Sequence, residues 1–140
     1  MIVQTFDPGH YAIRPVLDHD YERFYAEELR YRKTLGYPPF GRLIRVLITG
    51  PDEAETRSAS LELTRLVSTI AVDGSERELE VLGPAPAPLA RLRGRYRYQL
   101  LVKGPPGPRL RGAAETLVKA TAGLASPLQA NVDVNPMSML

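Results

Sequence analysis

From Arg42 onward the chain alternates between two apolar patterns. Leu43 to Thr49 is β-rich, with Leu43, Ile44, Val46, Leu47 and Ile48 in close succession. Pro51-Asp52-Glu53 then opens a helix predicted to reach about Val72. Proline is tolerated in a first turn, and acids there complement the helix dipole. Ala59, Leu63, Leu66 and Ile70 supply its apolar stripe. Asp73-Gly74-Ser75 reads as a loop, and Glu80 to Leu82 as a short strand. Gly83-Pro84-Ala85-Pro86-Ala87-Pro88 halts that strand, because prolines at spacing two favour an extended, stiff segment outside any ladder. Arg95 to Lys103 is the next strand, and Gly104 to Pro108 a turn. A helix follows to about Ala122, with Leu110, Ala114, Leu117 and Val118 on one face. Gly123 stops it, and Ala130 to Val134 forms a last strand before Pro136. The order β-α-β-β-α-β predicts an α+β domain, a ferredoxin-like sandwich in which both helices cover one face of a four-stranded antiparallel sheet.

Ahead of this unit, Ile2 to Thr5 reads as a strand stopped by Asp7-Pro8-Gly9. A lone terminal strand needs a sheet to join, so the chain is expected to have been cut from something larger. Asp18 to Leu35 reads as a helix, capped by Asp18 or Asp20. Tyr21, Tyr25 and Leu29 recur at four-residue steps beside Phe24, with Glu28 and Arg32 paired on the outside. Gly36 ends this helix, and Pro38-Pro39 prevents a restart. The first ~40 residues are expected to pack loosely or against another copy, their natural partner being absent.

The 140 residues, 44% hydrophobic and 24% charged, suffice for one domain with its own core. No apolar run approaches the ~18 residues of a membrane span, and the N-terminus lacks the layout of a secretion signal. The absence of cysteine excludes disulfides and thiolate metal sites. Together these favour the cytoplasm. His10 and His19 are isolated, which argues against metal. No Gly-rich phosphate loop ending in Lys-Ser or Lys-Thr is present, so no ATPase chemistry is expected of this chain.

Charge redraws the picture. The net +2 conceals a stretch from Val81 to Ala114 with no acid at all, holding Arg91, Arg93, Arg95, Arg97, Lys103, Arg109 and Arg111. The remaining 11 basic and 16 acidic residues leave the rest of the chain at −5. A basic segment on an acidic body predicts a polyanion or an acidic peptide as partner. Alternation along a continuous strand would align Arg91, Arg93, Arg95, Arg97, Gln99 and Lys103 on one face, opposite Leu92, Tyr96, Tyr98, Leu100 and Val102. A break at Gly94 would leave only Arg95, Arg97, Gln99 and Lys103 sharing a face. Arginine presents a permanently charged planar fork to phosphate, so Arg91, Arg93, Arg95, Arg97 and Lys103 are the candidate nucleic-acid contacts. The competing reading makes Arg95 and Arg97 structural, paired with acids on neighbouring elements. Tyr96 and Tyr98 are expected in the core rather than stacked on bases, and Tyr37-Pro38-Pro39-Phe40 serves better as a hinge than as a recognition surface. Arg109 and Arg111 oppose the dipole of the helix they begin, and are the candidates for an acidic peptide.

Five collinear segments resemble the primosomal protein N′ (PriA) family of replication-restart helicases. They are Gln4-Thr5-Phe6-Asp7-Pro8-Gly9-His10; Asp20-Tyr21 through Glu27-Glu28; Leu35-Gly36-Tyr37-Pro38-Pro39-Phe40-Gly41-Arg42; Val81 to Pro88 running on to Arg93-Gly94-Arg95-Tyr96-Arg97-Tyr98-Gln99; and Val132-Asp133-Val134-Asn135-Pro136 with Ser138-Met139-Leu140. The resemblance implies a C-terminal domain with a fold like a small-subunit ribosomal protein. It would bind branched or single-stranded DNA, lie against the helicase lobes, and help receive the acidic tail of single-stranded DNA-binding protein. It divides the chain into the tail of the second helicase lobe (1–17), a linker helix with a Pro-Pro hinge (18–40) and a DNA- and partner-binding domain (41–140). ATP and zinc are implied for the parent only; its zinc-binding cysteines lie upstream. Asn135 departs from the family's closing pattern, which has a second aspartate there. The alternatives are a scaffold that braces the lobes without touching DNA, and an RNA-binding ribosomal-type domain, against which the Gly-Pro-Ala-Pro-Ala-Pro and Arg-Gly-Arg-Tyr-Arg-Tyr segments argue.

Overall fold

Alternation along β1 (Arg42–Gly50) puts Ile44, Val46 and Ile48, all fully buried, on one face and Leu43, Arg45, Leu47 and Thr49 on the other, where Leu43 and Arg45 are buried as well. The computed structural model describes residues 4–71 and 79–136. Two helices precede β1, α1 (Arg14–Leu17) and α2 (Tyr21–Leu35). After it come α3 (Glu53–Ala71), β2 (Glu80–Leu92), β3 (Arg95–Gly104), α4 (Pro108–Ala122) and β4 (Gln129–Val134). The strands form one sheet in the order β2-β3-β1-β4, and every neighbouring pair is antiparallel. The expected β-α-β-β-α-β order is thus observed. Helices α3 and α4 pack on one face, where Leu63, Val67, Leu110, Ala113 and Leu117 close over Ile44, Val46, Ile48, Leu100 and Val102.

The stripe of α3 differs from the sequence expectation. Thr56, Ala59, Ser60, Leu63, Val67 and Ala71 are buried, whereas Leu66 is 41% exposed. Thr56 and Ser60 can face the core because their hydroxyls donate within the helix, to the carbonyls of Asp52 and Arg57. Likewise Ala113, not Val118, faces inward on α4. Helix starts follow the expected chemistry: Asp20 accepts from the Arg23 amide at 2.9 Å, and Asp52 from that of Glu55 at 2.9 Å.

Two strand expectations are corrected. The run from Gly83 to Pro88 does not end β2, which continues to Leu92 and pairs Ala85 with Gln99 and Pro86 with Tyr98. Proline is accommodated because β2 is an edge strand with a ladder on one side only. The pairing is interrupted twice. At Gly83 (φ 101°) a side chain is excluded, since a Cβ would come within 2.9 Å of the Gln99 carbonyl oxygen. Further on, Ala87 to Ala90 stand opposite Arg97 alone. At the N-terminus, Gln4 and Thr5 are not in a strand; Ile2 and Val3, the 73–75 loop and the segment 138–140 lie outside the described residues.

Helix α2 buries no residue of its own, and Tyr21 and Tyr25 are 70% and 51% exposed. Its far end meets the second face of the sheet. Gly36 ends it with φ 62°, and Tyr37 stands 5.7 Å from the Lys103 ammonium, so the linker partly covers Leu43 and Lys103.

Candidate nucleic-acid interface

The break at Gly94 is a hairpin turn. Arg93 and Gly94 both have positive φ (50° and 78°), the signature of the tight turns whose twist matches paired strands. Leu92 pairs with Arg95 and Arg91 with Tyr96 across it. The basic ribbon from Arg91 to Lys103 is therefore folded in two. Arg91 shares the helix side of the sheet with Tyr96 and rests 5.0 Å from its ring centroid. Arg93 is at the apex. Both are exposed, as are Leu89 and Leu92, at 47% and 48%.

Arg95, Arg97, Gln99 and Lys103 share the opposite face, as the broken-strand reading requires. Their charged groups are occupied within the fold. Arg95 donates to the Thr49 hydroxyl (3.3 Å) and carbonyl (3.0 Å), and to the Pro127 carbonyl (2.6 Å). Arg97 is buried and donates to the Leu89 carbonyl at 3.2 Å. Lys103 pairs with Glu80 at 2.6 Å. Arg95 and Arg97 thus use backbone carbonyls and the Thr49 hydroxyl where the structural reading expected acids. The two arginines knit the stem of the hairpin: one ties it to the loop before β4, the other holds the bulged β2 segment down.

Arg109 and Arg111 start α4, at the other end of the sheet, with Arg111 exposed. The length of β3, roughly 30 Å at about 3.3 Å per residue, separates them from the hairpin tip. Tyr98 is core: its hydroxyl donates to Glu53 at 3.2 Å, and burial first, then that carboxylate, raises the phenol's pKa. His10 and His19 are exposed, and among the described residues no cluster of His, Cys, Asp or Glu could hold a metal ion.

A second feature joins residues distant in the sequence. A cleft of about 500 Å³ opens between the end of α2 and the sheet, with Tyr11, Glu28, Tyr31, Arg32, Leu43 and Asn135 in its wall. Tyr11 donates to Glu28 at 2.6 Å, and Arg32 donates to the other Glu28 oxygen (2.6 Å) and to the Pro38 carbonyl (3.1 Å). Asn135, in the left-handed region at φ 55°, grips Leu43 twice: its side-chain oxygen accepts from the Leu43 amide (3.2 Å), and its own amide donates to the Leu43 carbonyl (2.6 Å). An aspartate would offer the same acceptor.

The Tyr11 hydrogen bond, followed by that of Arg32, holds the Glu28 carboxyl below its ordinary pKa, and the same bond raises that of Tyr11. A depressed carboxyl stabilises the fold above its ordinary pKa, and that contribution disappears as pH falls through the lowered value. Tyr11→Phe is expected to move the Glu28 titration back up, read by carboxyl carbon NMR. An unmoved midpoint would mean that Tyr11 has no part in it.

The hairpin, the Gly36–Gly41 turn and the Asn135 clasp all lie within residues 33–137, which match the family model described as primosomal protein N C-terminal domain. The chain belongs to this family. Among its relatives, the replication restart protein PriA of Synechocystis is 34% identical over 139 residues, covering 99% of this chain and 16% of its own length. That of Treponema pallidum is 32% identical over 143 residues, covering 100% of this chain and 20% of its own. That of Thermotoga maritima is 37% identical over 102 residues, 73% of this chain and 13% of its own. The chain therefore spans a fifth or less of the length of these three relatives. The family model begins near the end of α2, whereas the Synechocystis and Treponema alignments take in essentially all of this chain. Among the described residues no helix is long and apolar enough to cross a membrane.

Proposed function

We propose that this chain is the non-catalytic C-terminal part of a cytoplasmic replication-restart helicase and binds branched or single-stranded DNA through the tip of the β2–β3 hairpin. The strand order and one-sided helices support reading residues 41–140 as a ferredoxin-like, ribosomal-protein-like domain, with 1–17 as the tail of the second helicase lobe and 18–40 as the linker helix and Pro-Pro hinge. The observation that carries the proposal is the pair of exposed arginines, Arg91 and Arg93, at the tip of a hairpin that lies within a segment without acids. Arg95, Arg97 and Lys103 then serve chiefly to hold that hairpin in shape. Arg109 and Arg111, at the far end, are suited to an acidic peptide such as the tail of single-stranded DNA-binding protein.

The test is fluorescence anisotropy on forked DNA over a range of salt. Arg91→Ala with Arg93→Ala is expected to weaken binding about tenfold and to lower the log K against log salt slope by roughly 2, one counterion per lost phosphate contact. An unchanged slope would overturn the assignment. A scaffold that braces the helicase lobes is the second reading. It is favoured by the internal engagement of Arg95, Arg97 and Lys103 and by the exposed tyrosines of α2.

A further inference from the structure

The cleft between α2 and the sheet lies at the end of β3 farthest from the hairpin tip, since Leu43 in its wall pairs with Lys103. It stands apart from the exposed arginines of that tip. Its wall is chiefly aromatic and aliphatic, with Tyr11, Tyr31, Leu35, Pro38 and Pro136. Tyr11 and Tyr31 are neighbours, their ring centroids 4.6 Å apart, and Tyr31 and Leu35 are each 49% exposed. At about 500 Å³ the cleft has the size of an ordinary ligand site. Its polar groups are unequal in kind. The Glu28 carboxylate is taken on both oxygens, by Tyr11 and by Arg32. Arg32 uses Nε on Glu28 and Nη1 on the Pro38 carbonyl, which leaves Nη2 without a bond to any described residue. The Leu43 amide can only donate, so the Asn135 oxygen must face it. The NH2 group of Asn135 then has no partner among the described residues. Two unmet nitrogen donors therefore line an aromatic cleft whose positive charge is already balanced by Glu28.

We infer that the cleft holds a proline-rich segment of a partner protein in the polyproline II conformation. Such a segment is neutral, its carbonyls make no internal hydrogen bond, and its prolines have no N–H to satisfy. It matches a site with donors to offer and no free acceptor carboxylate. An anion gains little from an arginine already balanced, and a nucleobase brings N–H donors for which the engaged Glu28 leaves no place. Proline rings settle on aromatic faces, the mode by which proline-rich ligands are held in aromatic-lined grooves. Here Tyr31 with its neighbour Tyr11 supplies that face, while Arg32 Nη2 and the Asn135 NH2 donate to the ligand's carbonyls. A segment already extended in solution loses little freedom on docking, so few contacts suffice.

Titrating the nitrogen-15-labelled chain with decaproline tests this. Amide shifts are expected at Tyr37, Leu43 and Asn135, with none at Arg93 and Gly94 of the hairpin tip. Asn135→Asp keeps an acceptor for the Leu43 amide but replaces the donor with an oxygen. It is expected to leave the thermal melt in place and to weaken decaproline about fivefold, the effect of one lost hydrogen bond. Tyr31→Ala should weaken it by a similar factor, and Tyr31→Phe, which keeps the ring, should not. Decaproline that shifts none of these amides, or that binds Asn135→Asp as tightly as the original chain, would overturn the inference. A glycine-serine peptide of equal length that shifts them as strongly would overturn it by showing that proline is not what the cleft selects. Oligothymidylate that shifts them more strongly would make the cleft a nucleic-acid contact instead.

Discussion

Gly41→Ala is expected to be among the most damaging single-methyl changes in the chain, lowering stability by about 2–3 kcal/mol, as overpacking typically does. Gly41 is buried, and a Cβ there would collide with the backbone carbonyl of Gly36 and lie 3.6 Å from the Gly104 carbonyl oxygen. Neither neighbour is a flexible side chain that could move aside. Gly36 is pinned in turn by its left-handed φ and by the amide of Tyr37, which donates to the Arg32 carbonyl at 2.8 Å. The turn closes further through the amides of Phe40 and Gly41, both donating to the Tyr37 carbonyl at 2.9 and 3.3 Å. The two glycines of the Leu35-Gly36-Tyr37-Pro38-Pro39-Phe40-Gly41 segment therefore have separate reasons: the first supplies the backbone conformation, the second the close approach. For a domain of this size the cost corresponds to a fall in melting temperature of roughly 10 °C. A melt within about 2 °C of the original would show that the turn relaxes freely, and would remove the link drawn between the motif and its geometry.

That turn illustrates what the sequence makes readable. Gly36 and Pro38-Pro39 announce the end of a helix through local chemistry alone, and the alternation of Ile44, Val46 and Ile48 announces a strand with one buried face. The close approach of Gly41 to Gly36 depends on how the turn folds back, which no local preference encodes. The same division holds in α3. An apolar stripe drawn through Leu66 is natural when only apolar residues are taken as core, yet Thr56 and Ser60 occupy core positions by satisfying their hydroxyls on the helix backbone. For the edge strand, the prolines correctly signal a segment ill suited to a central position. What they leave open is that one side of it is still free to pair.

The candidate site divides along similar lines. The acid-free stretch and the alternation of arginine with tyrosine were apparent, as was the possible break at Gly94. Where each guanidinium ends was not. Arg95 finds Pro127 and Arg97 finds the bulged Leu89, and both partners are set by tertiary folding. The consequence is functional: of five candidate nucleic-acid contacts, Arg91 and Arg93 are the exposed ones. The cleft at Tyr11 and Asn135 gave no signal beyond the Glu28–Arg32 spacing, because its walls come from opposite ends of the chain.

Adjacent leucines in β3 provide the sharpest test of the sheet's sidedness. Leu100 is completely buried on the helix side, level with Val46 in the register, while Leu101 is half-buried on the other face, between Leu82 and Arg45. Leu100→Ala removes a side chain from the closed core beneath α3 and α4 and is expected to cost about 2–5 kcal/mol, the transfer loss plus the cavity left behind. Leu101→Ala makes the same chemical change one residue on. Its side chain is already partly exposed, so less apolar contact is lost and the expected cost is about 1 kcal/mol. Urea denaturation of both variants measures the contrast, with an unchanged m-value confirming that the same surface is exposed in each. Equal losses would mean that both faces of β3 are closed to solvent.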